Sequence, residues 1–94
     1  MTEVYGQLNT GQVAMTGSAV QLTATADDIG GIVVKAHNAN PGSVYVGGGS
    51  GVLTTTGFEL GPGQAITLPL NTQSIVYAIG ASGNSVSWAA VSPL

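Results

Sequence analysis

The chain has 94 residues, enough for one small domain, and folding at that length removes only about 60 to 65% of the unfolded surface from water. Charged side chains are 5% of the sequence, with one Lys and no Arg, against roughly 25% in an ordinary soluble domain. A net charge of −3 with a single Lys excludes binding to nucleic acid through phosphate neutralisation, and the lack of Cys excludes a disulfide framework and thiol chemistry.

Residues 1–11 come first, with Val4, Tyr5 and Leu8 standing among Gly and polar residues before any sustained pattern. They predict an N-terminal arm that a neighbour orders, ahead of a β-sandwich domain over residues 12–94. The start lacks the basic region and apolar run of a secretory signal, and no apolar stretch approaches the ~20 residues that span a bilayer. Cytoplasmic synthesis with no membrane partner is the expectation.

From residue 12 onward the pattern is that of strands. No segment sustains apolar residues at i, i+3, i+4 and i+7, and Gly or Pro recurs too often for a helix of ordinary length. Strands are predicted at residues 12–16, 19–25, 31–38, 43–47, 57–60, 65–68, 74–79 and 85–91. The breaks are turn chemistry: Asp27-Asp28-Ile29-Gly30-Gly31, Asn38-Ala39-Asn40-Pro41-Gly42, Gly61-Pro62-Gly63 and Gly80-Ala81-Ser82-Gly83-Asn84 offer positive φ or a proline-fixed φ. In the third strand Ile32, Val34 and Ala36 alternate with Val33, Lys35 and His37, so Lys35 and His37 share the outer or partner-facing side. The strand over 74–79 is apolar on both faces, Ile75, Tyr77 and Ile79 opposite Val76 and Ala78. That pattern suits a strand covered by the core on one side and by a neighbouring subunit on the other. Eight short strands at roughly eight-to-twelve-residue spacing predict an all-β antiparallel sandwich, jelly-roll-like.

Residues 44–64 hold seven of the fifteen glycines. A phosphate-binding loop needs Lys and Ser/Thr after its last Gly, and a dinucleotide fingerprint needs a helix to follow. Val52 and Leu53 come instead, then Thr54, Thr55 and Thr56, so these glycines are expected to punctuate strands. His37 is the single histidine, too few ligands for zinc. Asp27 and Asp28 could begin a calcium site but supply two of the six to eight oxygens such a site takes. No nucleophile, base and oxyanion set is legible, so no enzyme and no cofactor are expected. Trp88, flanked by Val86, Ser87, Ala89 and Ala90, reads as a core or intersubunit residue ahead of a sugar platform.

The run NPGSVYVGGGSGVLTTTGFELGPGQAITLPL, followed after a short gap by SIVYAIGASGNSVSWAAV, resembles small virion proteins of tailed bacteriophages over residues 40–91. The resemblance implies a β-sandwich module and the function of a capsid decoration or cement protein. Such a protein sits on the virion as a homotrimer at local threefold positions, with the major capsid protein as its partner. The alternative roles in that family are a receptor- or glycan-binding module of a head fibre or tail, and a tail or connector structural protein. Candidate capsid or subunit interface residues are Val4, Tyr5, Leu8, Ile75, Tyr77, Ile79 and Trp88.

Overall fold

A computed structural model describes residues 7–23, 31–69 and 75–92, so Val4, Tyr5, Asp27 and Asp28 lie outside the described residues. Within them the backbone forms eight strands and no helix: β1 (Gln7–Ala14), β2 (Val20–Gln21), β3 (Ile32–Ala36), β4 (Val44–Gly47), β5 (Phe58–Leu60), β6 (Ala65–Leu68), β7 (Tyr77–Ile79) and β8 (Ser85–Ser92). All pairs are antiparallel. They build two four-stranded sheets, the first in the order β1-β8-β3-β6 and the second in the order β2-β7-β4-β5.

This order follows from how the chain doubles on itself. Strands of the first half pair with strands of the second in reverse: β1 with β8, β2 with β7, β3 with β6 and β4 with β5. The polypeptide is one long hairpin with its tip at residues 48–57, rolled until β8 meets β3 and β7 meets β4. That is a jelly roll, two Greek keys shared between two sheets. The glycine-rich stretch is therefore the point about which the whole chain reverses.

The inward faces meet in a core of Ile32, Val34, Ala36, Val44, Val46, Leu60, Val76, Ala78, Val86 and Ala90, closed by Met15 and Leu22. In β3 the alternation is complete, with Ile32, Val34 and Ala36 buried and Val33 and Lys35 exposed. The largest fully buried side chains are no bigger than Ile and Leu, and most are Val. Each contributes about 1.5–3 kcal/mol relative to exposure. One large-to-small change can thus remove much of the ~5–15 kcal/mol by which domains are stable.

The first strand departs most from expectation. It begins at Gln7 and not at residue 12, so residues 7–11 of the expected arm are paired to β8 along their length. Its core-facing positions are Asn9, Gly11 and Val13, of which Val13 alone is apolar with a side chain to bury, and the hydrophobic alternation is therefore silent. β2 is confined to Val20–Gln21, beyond which Leu22 stays buried and donates its N–H to the Val76 carbonyl at 3.0 Å. β7 is confined to Tyr77–Ile79, with Ile75 in a turn before it. Three of the four expected turns contain a positive-φ glycine, Gly31 (151°), Gly63 (82°) and Gly83 (99°). The turn at residues 38–42 has none and is fixed by Asn40 instead.

Among the described residues Asn40 and Asn84 are the buried polar ones, and both act on backbone. Asn40 donates Nδ2–H to the Ser85 carbonyl at 2.9 Å and accepts the Ser85 N–H at 2.8 Å. Asn84 accepts the Gly42 N–H at 3.0 Å and donates to the Ala81 carbonyl at 3.0 Å. Two side chains thus stitch the loop before β4 to the turn before β8.

Candidate functional site

The outer face of the first sheet is built from every second residue of its strands. Register puts Gln12, Ser87, Lys35 and Ala65 in one row across β1, β8, β3 and β6, and Thr10, Ala89, Val33 and Thr67 in the next. Because β8 contributes only Ser87 and Ala89 here, the middle of the face is low between the longer side chains of β1 and β3. The result is an open groove of about 280 Å³ lined by Thr10, Gln12, Val33, Lys35, Ser87 and Ala89. At its end His37 Nε2 lies 2.7 Å from Ser87 Oγ, tying β3 to β8. Val33 is 39% exposed on this face, and Leu8, on the same side of β1, is 69% exposed.

The outer face of the second sheet carries Glu59, Tyr45 and Ile79 in one row and Gly47, Tyr77 and Gln21 in the next. Ser43 Oγ donates to Glu59 at 2.8 Å and holds the carboxylate against the β4 side. Residues 48–57 fold back over this face, burying Val52 outside the core cluster. Two glycines make room for it. A Cβ at Gly47 would lie 2.5 Å from Val52 Cγ2, and one at Gly57 would lie 2.7 Å from Tyr45 Cβ and 2.9 Å from Val52 Cγ2. Gly47 is expected from the sequence to serve chain reversal and Gly57 to open a strand, and neither has a positive φ. They are glycine because a side chain occupies the space. The Thr56 hydroxyl accepts the Leu53 N–H at 3.0 Å and the Thr56 N–H donates to the Leu53 carbonyl at 3.1 Å, which closes the loop and leaves Leu53 exposed.

A third feature is an apolar cleft of about 230 Å³ where β5 and β6 edge the two sheets, lined by Val46, Phe58, Ile66, Leu68, Ile75 and Val76 among others. Phe58 pairs with the inward-facing Val46 but sits on an edge strand, which leaves it 58% exposed.

The structure separates the expected interface residues. Tyr77 and Ile79 lie together on the outer face of the second sheet, half-buried beside Tyr45. Ile75 belongs to the apolar cleft, and Leu8 lies on the opposite sheet. Trp88 shares the inward row of Val34 and packs against the core, its ring lying over Gly11, where a Cβ would come within 2.7 Å of Nε1. That placement makes Trp88 a residue of the sandwich itself, and its Nε1 is buried with no acceptor among the described residues. Sequence reasoning passed over Ser87, Glu59, Phe58, Leu53 and Val33. The period-two pattern of residues 85–91 could have placed Ser87 beside Lys35, but nothing local marks Leu53 or Phe58 as exposed.

The Ser87–His37 pair has no carboxylate to orient the ring, since Glu59, the one acid among the described residues, faces outward from the other sheet. No group of three metal-ligating side chains occurs among the described residues.

No protein-family model matches the chain, and no curated protein matches it. Among solved structures it is similar to a chain of the Bacillus endospore appendages, a family of disulfide-linked pili, at a TM-score of 0.54 and 12% identity over 99% of this chain and 92% of that one. It is more loosely similar to the polyketide cyclase RemF of Streptomyces resistomycificus, at a TM-score of 0.46 and 20% identity over 98% of this chain and 56% of that one, which is too loose to carry an argument. At 12% identity the likeness to the appendage chain is one of fold, an all-β sandwich.

Proposed function

We propose that the chain is a non-enzymatic structural subunit of a protein assembly, and that the assembly is a phage capsid whose outer surface it decorates as a homotrimer. The observation that carries the reading is the make-up of the two outer faces. Across both sheets the described residues present hydroxyls, amides and apolar side chains with a single Lys on one side and a single Glu on the other. Surfaces so poor in charge favour association over dispersal in water. The sequence resemblance of residues 40–91 supports the capsid and the major capsid protein as partner. Stabilisation then follows by mass action, because a subunit that binds only the assembled shell raises shell stability at every site it fills.

A second reading, a subunit of a filament, is favoured by the fold likeness to a pilus chain over nearly the full length of both. Covalent linkage through disulfides is closed to these 94 residues, which contain no Cys. Copy number per particle separates the two. Quantitative mass spectrometry of purified virions should give hundreds of copies, and particles lacking the protein should release DNA at lower temperature. A few to a few dozen copies would point to a tail or fibre, and absence from virions together with filaments on a cell or spore surface would overturn the capsid reading.

A further inference from the structure

We infer that copies of this chain associate head to tail, with the outer face of the first sheet set against the outer face of the second sheet of the next copy and Lys35 opposite Glu59. The inference rests on the assembled-subunit reading above and names the surfaces that would carry it. Lys35 and Glu59 are the one Lys and the one acidic residue among the described residues, the other acids being Glu3, Asp27 and Asp28. Each points outward from a different sheet, Lys35 in the row of Gln12 and Ser87 and Glu59 in the row of Tyr45 and Ile79. Packed sheets lie about 10 Å apart, and both side chains are directed away from that gap, so they cannot meet within one copy.

The sign of the charges selects the mode of contact. An isologous contact centred on either charge brings Lys35 towards a second Lys35 or Glu59 towards a second Glu59, with no other charged side chain among the described residues of that face to compensate. A heterologous contact brings the cation to the anion. In an interface otherwise uncharged, one such pair discriminates strongly between the two arrangements. Shape agrees with sign. The first face is hollowed along β8, whereas the second is overlaid by residues 48–57, with Leu53 54% exposed. Seating that ridge in the groove buries Leu53 against Val33 and Ala89 while the charges meet beside it. A heterologous contact closes into a ring, a trimer included, or continues into a filament, according to the rotation it imposes.

The 94-residue chain supplies its own probe, because Lys35 is its single lysine. Treatment with a water-soluble carbodiimide should yield cross-linked dimers in which mass spectrometry finds an amide between Lys35 and Glu59. In sedimentation experiments Lys35→Glu and Glu59→Lys should each weaken self-association at least about tenfold, and the double swap should recover affinity to within about threefold of wild type. Circular dichroism melts show whether each variant is folded, with Lys35→Gln and Glu59→Gln as milder replacements for a swap that is not. Single swaps that associate as wild type does, or a double swap no tighter than the weaker single, would overturn the interface while leaving the assembled-subunit reading intact. A wild-type chain that stays monomeric at high concentration and never decorates particles would overturn both.

Discussion

At the scale of single residues, the close approaches separate glycines that matter from glycines that merely occur. Gly47 and Gly48 are neighbours in a run of three, yet a Cβ on Gly47 would strike Val52 at 2.5 Å, whereas one on Gly48 meets nothing within 4 Å. Gly47→Ala should therefore cost about 1–3 kcal/mol, the range for overpacking a filled site. Gly48→Ala should be neutral or slightly stabilising, because it reduces the freedom of the unfolded chain without strain in the folded one. Urea denaturation of the two variants reads the contrast directly, and equal losses would mean that Val52 is not seated over Gly47. The buried asparagines make a second test. Asn84→Ala leaves the Gly42 N–H and the Ala81 carbonyl without this side chain. The expected loss is about 1–3 kcal/mol for each group that water cannot reach. Asn38→Ala, at an exposed position in the loop before β4 to which Asn84 reaches, is the control and should change stability by less than about 0.5 kcal/mol.

At the scale of elements, legibility in the sequence followed side-chain chemistry. Where a strand buries one face and wets the other, as β3 does, its position and facing were readable, and β6 has the bounds its pattern predicts, Ala65–Leu68. Where an element is held by backbone pairing to a distant partner, the sequence was mute. β1 puts Asn9 and Gly11 inward, and Gly11 belongs there because Trp88, 77 residues away in the chain, covers it across the β1–β8 register. No local pattern encodes that partnership, so the arm predicted over residues 1–11 overlaps β1 by five residues. Likewise the outer faces are assembled from rows running across three or four strands, and only Lys35 on β3 and His37 just beyond it announced a side before the register was known. A truncation pair tests the revised boundary. Removing residues 1–6 leaves all eight β1–β8 partners in place and should keep the cooperative melt, whereas removing residues 1–11 deletes five of them and uncovers Trp88. The longer truncation should melt well below the shorter one, with a red-shifted Trp88 emission in the native state. Equal melting temperatures would show that residues 7–11 add nothing to the sandwich.

At the scale of the whole molecule, the described strands of this doubled and rolled chain are held by apolar burial and backbone ladders. Every strand pair except β4 with β5 joins segments far apart in sequence, so folding waits on long-range closure, and refolding in milliseconds to seconds is the expected regime for such a topology. Electrostatics enters differently. Lys35 and Glu59 face outward from opposite sheets and form no ion pair with each other. Their separation exceeds the sheet spacing of about 10 Å, which is already the screening length at about 0.1 M salt. Added salt therefore has little attraction to weaken within one copy, and the net charge of −3 is too small for screening of self-repulsion to add much. The melting temperature should move by less than about 2 °C between roughly 20 and 300 mM sodium chloride. Measured at a concentration low enough to hold the chain monomeric, that insensitivity isolates the fold from association. A drop of about 5 °C or more, which for a domain of this size corresponds to about 1 kcal/mol, would mean that ion pairs hold the sandwich together and that its outer faces are not as charge-poor in action as in composition.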